Sequence, residues 1–258
     1  MKLIKRTSKE PIHLFHGDCL EVMKTISDKS VDLILCDLPY GRTKNSWDTP
    51  LPFDSLWEQY RRVIKDNGVI ALFADGMFMA DLMKSNPSMW RYNLVWNKVL
   101  TSGFLNANRQ PLRQHEEVVI FYKKQPCFNP QFTEGKPLHG MGKSFKDKLN
   151  ANNNYGSFNS NLNPSANREG DTRKYPTSII TVSRSSSSKM VHPTEKPVSL
   201  CEWLIKSYTN EGDLVLDNCM GSGSTGVACI NTNRRFIGIE LDEEVFNIAV
   251  QRCKKSDE

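Results

Sequence analysis

The segment Asp217-Asn218-Cys219-Met220-Gly221-Ser222-Gly223-Ser224-Thr225-Gly226 follows the apolar run Leu214–Leu216 and opens a stretch of helical period. Strand, glycine-rich turn and helix in that order make the ligand-binding corner of an open α/β sheet. Position constrains the fold further, because the chain beyond it accommodates one more strand, Phe236–Ile239, and one more helix, Glu243–Cys253. The strands that complete the sheet must therefore come earlier. Apolar runs at Ile12–His16, Val31–Cys36, Val69–Ala74, Tyr92–Trp96 and Val118–Tyr122 supply them. Between these runs, apolar residues recur at three and four over Leu20–Ile26, Asp54–Ile64, Met77–Lys84, Val198–Tyr208 and Thr225–Asn231, which predicts helices. Pro197 suits the first turn of its helix, and Asp242 suits a helix N-terminus.

Glu240 ends the strand after the glycine loop, where a carboxylate can accept hydrogen bonds from both hydroxyls of a ribose. Loop and acid together indicate an adenosine-type cofactor. A nicotinamide dinucleotide fits the same pair of features, but such enzymes usually open their sheet with this unit, and no hydride-transfer acid or base is apparent.

A second loop, Asp37-Leu38-Pro39-Tyr40, directly follows the run Val31–Cys36 and so stands at a strand's carboxyl end, where open α/β sheets bind ligands. Four residues after a strand also fit a plain turn with Asp37 an ordinary polar residue. The downstream glycine loop tips the balance toward chemistry on an exocyclic amine. The lone pair of such an amine is delocalised into its ring. A carboxylate (Asp37) and a backbone carbonyl (Leu38 or Pro39) can accept its two hydrogens, while Pro39 stiffens the loop and Tyr40 offers a stacking face.

Charge is uneven. The net charge is +5, but the segment from Lys123 to Met190 holds eleven Lys and Arg against four Asp and Glu, so it carries +7 and the remainder −2. This segment is rich in Asn, Ser, Gly and Lys with scattered aromatics, and reads as an insertion rather than more sheet. It suits phosphates and base edges, with Lys143–Lys148, Arg173 and Lys174 as candidate contacts. Arg42, Lys44 and Trp47, just after Tyr40, form a second candidate surface. Seven cysteines without a Cys-x-x-Cys pair, and His13 and His16 without partner carboxylates, indicate neither a disulfide framework nor a metal site. No apolar run approaches the ~20 residues of a membrane span. The basic start, Met1 to Arg6, lacks the rest of a secretory signal, so a cytoplasmic protein is expected.

Taken in order, these blocks resemble the β-class of site-specific DNA amino-methyltransferases, which use S-adenosylmethionine. The family's Asp/Asn/Ser-Pro-Pro-Tyr appears as Asp37-Leu38-Pro39-Tyr40, and its Asp-Pro-Phe-x-Gly-Ser-Gly-Thr-Thr as Asp217 to Thr225. A third block, His192-Pro193-Thr194-Glu195-Lys196-Pro197, is similar to its His-Pro-Thr-x-Lys-Pro. Gly17-Asp18-Cys19 is similar to its N-terminal Gly-Asp block. Two departures stand out: Leu38 for the commoner first proline, and Cys219 for the phenylalanine that packs on the cofactor.

The resemblance implies an α/β fold: a Rossmann-like, seven-stranded methyltransferase sheet with permuted motif order and an inserted target-recognition region. Residues 1–122 would form the catalytic part, 123–190 the target-recognition insertion, and 191–258 the cofactor-binding part of the same domain. It places Asp217, Cys219, Gly221, Ser222, Gly223 and Thr225 around S-adenosylmethionine, with Glu240 on the ribose. Thr194 and Lys196 would lie near the methionine carboxylate and Asp18 near the adenine, although an Asp at that position equally caps the helix that follows. The implied target is a base flipped out of double-stranded DNA, with single strands and a homodimer left open. The Asp at the head of the tetrapeptide favours adenine N6. Cytosine N4 is the close alternative, followed by an RNA or protein-glutamine N-methyltransferase and a non-catalytic DNA-binding module.

Overall fold

The computed structural model describes residues 2–4, 11–41, 48–137, 170–184 and 195–256. Contacts divide the chain into Met1–Asn129 with Thr177–Glu258, and Pro130–Pro176. In chain order the first unit carries β1 (Lys2–Ile4), β2 (Ile12–His16), α1 (Cys19–Met23), β3 (Val31–Cys36), α2 (Phe53–Val63), β4 (Ile64–Ala74), α3 (Gly76–Ser85), β5 (Trp90–Ser102) and β6 (Arg113–Phe121). The second unit contributes β7 (Thr133–Glu134) and β8 (Arg173–Lys174). The first resumes with β9 (Ile179–Thr181), α4 (Val198–Tyr208), β10 (Leu214–Asp217), α5 (Ser224–Asn231), β11 (Arg235–Glu240) and α6 (Glu243–Lys255).

One sheet in the order β1-β2-β11-β10-β3-β4-β6-β5-β9 organises the first unit. The seven expected strands stand consecutively within it, and the short edges β1 and β9 widen it to nine. β6 runs antiparallel to β4 and β5, while the pairs β2–β11, β11–β10, β10–β3 and β3–β4 are parallel. Alternation along β3 and β4 feeds two cores. Leu33, Leu35, Val69, Ala71 and Phe73 pack on the face covered by α4, α5 and α6. Ile34, Cys36, Ile70, Leu72 and Ala74 pack on the face covered by α1, α2 and α3. Burial on both faces is why these strands read as continuous apolar runs.

Differences from expectation have local causes. β9 lies inside the stretch 123–190 that was read as holding no sheet, and pairs in parallel with Val95–Asn97 of β5. Three residues among serines and threonines leave too short a run to register. β5 and β6 extend past their apolar centres as a hairpin, with Ser102 opposite Arg113, because exposed positions there alternate with polar residues. α1 stops at Met23, where the Thr25 and Ile26 N–H groups donate to Val22 and Met23 carbonyls three residues back. Pro197 takes the N-cap of α4 rather than its first turn. Among the described residues, no helix is long and apolar enough to cross a membrane.

In the second unit, β7 and β8 pair antiparallel. The Phe132 and Tyr175 rings meet at 4.9 Å, and the Arg173 guanidinium lies 5.4 Å from the centre of the Phe132 ring. The lysine cluster Lys143–Lys148 lies outside the described residues, as do Arg42, Lys44 and Trp47.

Candidate active site

The carboxyl ends of β2, β11, β10, β3, β4 and β5 meet along one edge, where the antiparallel β6 begins. The described parts of the expected blocks fall on this edge. Asp37 follows β3, and its Oδ1 accepts a hydrogen bond from the Tyr40 hydroxyl at 2.8 Å. The Lys196 ammonium donates to Oδ2 of the same carboxylate. Lys196 also lies 3.6 Å from Glu116, and Glu116 in turn holds Lys98 at 3.0 Å. The result is an alternating chain of four charges, Asp37, Lys196, Glu116 and Lys98, drawn from the β3 end, the segment before α4 and the hairpin of β5 and β6.

Burial gives this chain its strength, because low dielectric magnifies both the pairing and the cost of an unpaired member. Desolvation alone would lower the Lys196 pKa, but the Asp37 and Glu116 carboxylates outweigh it and hold the ammonium above the usual lysine value. Burial likewise pushes Glu116 up, and Lys196 and Lys98 reverse it, leaving a carboxyl below the ordinary glutamate range. For Tyr40, burial and then the Asp37 charge raise the phenol well above normal, so it remains a donor. The Tyr40 ring stacks on Phe78 at 4.6 Å with an interplanar angle of 24°. A cavity of about 320 Å³ opens beside it, lined by Tyr40, Phe53, Met77, Phe78 and Asp81 among others.

Leu38 is buried in the core, so only its backbone is available to the edge. Its side chain anchors the loop by packing, a physical reason why this chain can do without the commoner proline.

The glycine loop is fastened from beneath. Asp217 is 4% exposed and accepts from the Thr225 hydroxyl at 2.6 Å and the Cys219 N–H at 3.2 Å. Burial pushes its pKa up to about 7. Cys36, the last residue of β3, packs in the same core cluster as Cys219, and β3 pairs with β10, so the catalytic strand and the glycine loop stand side by side. Cys219 is half-buried and packs against the cluster that holds Cys19 and Cys36. The Ser222 hydroxyl receives a bond from Arg252 at 2.6 Å and reaches Glu195 at 3.3 Å. Asp217, Ser222 and Thr225 therefore shape the loop with their side chains.

The glycines divide their tasks. A Cβ at Gly223 would come within 3.0 Å of the Ala249 Cβ of α6, and one at Gly226 within 2.9 Å of Cys253 Sγ, so both are close-packing positions. A Cβ at Gly221 meets nothing within 4 Å, and its φ of 52° is left-handed. In dinucleotide folds the second glycine clears room for a pyrophosphate. Here Ala249 fills that room, which argues against a nicotinamide cofactor. The open position, Gly221, donates its N–H to Glu240 at 2.9 Å. Gly17 bonds the Glu240 carbonyl at 2.9 Å, bringing Asp18 to the same corner, where its carboxylate caps α1 through the Leu20 N–H at 2.8 Å. The set suits a nucleoside cofactor: an open cradle at Gly221 between two exposed or half-buried acids.

Thr194, with His192 and Pro193, lies outside the described residues. Glu116, Lys98, Glu195, Arg252 and Phe78 were not singled out from sequence. Glu116 had a signal, since a carboxylate at the mouth of the buried run Val118–Phe121 needs a partner.

An antiparallel β6 beside the parallel run β2-β11-β10-β3-β4, with an acidic loop and a glycine loop on neighbouring strands, defines a methyltransferase-type α/β enzyme. The chain belongs to the N6/N4 family of DNA methylases, whose family model matches residues 31–251. Relatives include the DNA adenine methyltransferase YhdJ of Escherichia coli K12, 28% identical over 96% of this chain and 84% of that protein. The type II methyltransferase M.BamHI of Bacillus amyloliquefaciens is 30% identical over 95% of this chain and 57% of its own length. Among solved structures, the M1.HpyAVI complex with S-adenosylmethionine superposes with a TM-score of 0.62 at 26% identity, covering 93% of this chain and 98% of that one. The cytosine-N4-specific PvuII methyltransferase shares the fold at a TM-score of 0.66 and 16% identity, over 97% of this chain and 90% of its own.

Proposed function

We propose that this protein methylates the exocyclic N6 amine of adenine in double-stranded DNA, with S-adenosylmethionine as donor. The observation that carries the reading is the Asp37 carboxylate, fixed by Tyr40 and Lys196 at the strand end beside the glycine loop. When bound, S-adenosylmethionine supplies an electrophilic methyl group on a sulfonium. Gly221, Glu240 and Asp18 would hold the nucleoside, with Thr194 and Lys196 toward its amino-acid end.

The residues of the chain do the rest. Asp37 accepts one amine hydrogen and the Leu38 or Pro39 carbonyl the other, which returns lone-pair density from the ring to nitrogen. Because the Tyr40 phenol stays protonated, its bond keeps the carboxylate turned toward the edge. The Tyr40 ring, backed by Phe78, presents a stiff face to an extruded base. The positive insertion 123–190 supports a role in holding and reading the duplex.

Adenine is favoured by the Asp heading the tetrapeptide and by the adenine-specific relative. Labelled S-adenosylmethionine and mixed-sequence DNA, followed by nucleoside analysis, test the reading. N6-methyldeoxyadenosine is the expected product. N4-methyldeoxycytidine would overturn the choice of base, and label confined to RNA or protein would overturn the choice of substrate.

A further inference from the structure

The hairpin of β5 and β6 carries its connection, residues 103–112, at the edge that holds Asp37. The tip is apolar and outside the core: Phe104 is 68% exposed and Leu105 100%. Val99 and Leu100 at its base are about half exposed. One solvated leucine is unremarkable, but four exposed large apolar side chains, two on the connection and two at the end of β5, form a patch that has a use.

The tip is also shaped. Gly103 takes a left-handed φ of 90°, and a turn of 3-10 helix follows over Phe104–Asn106. Ala107 N–H donates to the Phe104 carbonyl at 3.1 Å, and Arg109 N–H to the Asn106 carbonyl at 2.8 Å. Local bonds thus fix the backbone while Leu105 stays in solvent. From Val99 to Gln114 the chain has no acidic residue and offers Arg109, Arg113, Asn106, Asn108, Gln110 and Gln114. Arg113 pairs with Asp75 at the same edge.

An apolar wedge on a connection that carries cations and amides and no carboxylate of its own is complementary to a base stack bordered by phosphates. We propose that Leu105, backed by Phe104, enters double-stranded DNA beside the target and fills the space the extruded base leaves. This rests on the DNA reading above. Filling the gap offsets the stacking lost on extrusion, so the contact matters most where the target is paired.

The test begins by sequencing DNA from cells expressing the chain to map the methylated site. A duplex of that site with 2-aminopurine at the target then reports extrusion by its fluorescence. Leu105→Ala, a change at a fully exposed side chain, is expected to leave thermal stability unchanged and to abolish most of the fluorescence rise. It should also lower kcat/KM on the paired duplex at least about tenfold, equivalent to about 1.4 kcal/mol. On a duplex with a mispaired target the loss should shrink below about twofold. Unchanged transfer and fluorescence in Leu105→Ala, beside an active parent, would overturn the wedge alone. An equal loss on paired and mispaired duplexes, with a dimer falling to monomer in sedimentation, would overturn it in favour of a contact between copies. No transfer by the parent chain to any DNA would overturn the DNA reading and the wedge with it.

Discussion

The glycine loop and the catalytic loop end neighbouring strands, yet they keep their shapes by opposite means. The glycine loop is held by its own vicinity: Asp217 binds Thr225 and Cys219, and Gly223 packs on the helix two elements later. Among the described residues the catalytic loop has the local bond from Tyr40 to Asp37, and it also leans on Lys196, Glu116 and Phe78 from distant segments. A loop fixed locally should answer to substitution through stability. One fixed from afar should answer through activity as well.

Asp37→Ala gives the largest expected effect, a fall in methyl transfer of about 10³-fold, or about 4 kcal/mol, with S-adenosylmethionine affinity retained in calorimetric titration. Unchanged turnover would remove Asp37 from the chemistry. Asp217 sharpens the other side of the comparison. Its folded pKa of about 7 stands above the ordinary aspartate value of 3.8. As pH rises through that window the unfolded chain ionises while the native carboxyl stays protonated, so stability falls, by up to about 4 kcal/mol. Above about pH 7 this contribution levels off. Denaturation of Asp217→Asn at pH 5 and pH 8 should show the slope reduced.

Next comes Glu116→Ala, which leaves the ammonium of Lys98, 3% exposed, without its carboxylate. A loss of about 3 kcal/mol is expected in urea unfolding, together with lower kcat. A stability loss with normal kcat would place Glu116 in the scaffold alone. The smallest effect separates the two glycines. Gly223→Ala should cost about 2 kcal/mol from its left-handed φ and the Ala249 contact, whereas Gly221→Ala should cost about 1 kcal/mol from backbone conformation alone and weaken cofactor binding more. Equal melting temperatures for the two variants would break the distinction.

The same contrast governs what the sequence disclosed. Val31–Cys36 and Val69–Ala74 are legible because both of their faces are buried. The glycine loop is legible because its bonds lie within a few residues of one another. β9 and the outer halves of β5 and β6 escaped because their side chains are half-exposed and mixed in character. Lys196 was visible as part of a block, but its bond to Asp37 was not, since nothing local in either segment announces a partner so far along the chain. Lys98 and Glu116 acquire meaning only when β5 and β6 bring them to the edge. Ser222 belongs to a recognisable block, but the direction of its side chain is decided by the distant Arg252 and Glu195.

The parallel pairing of β10 with β3 has a consequence for the newly made chain. Leu214 bonds the Asp32 carboxylate at 3.0 Å across 182 residues. During synthesis β3 therefore waits with one edge bare until β10 and β11 leave the ribosome, which exposes an apolar strand to mispairing. Contacts this distant in sequence also make for slow folding. Asp37 and the glycine loop meet only after that wait, so a nascent polypeptide that has not yet released β10 holds one half of the site without the other.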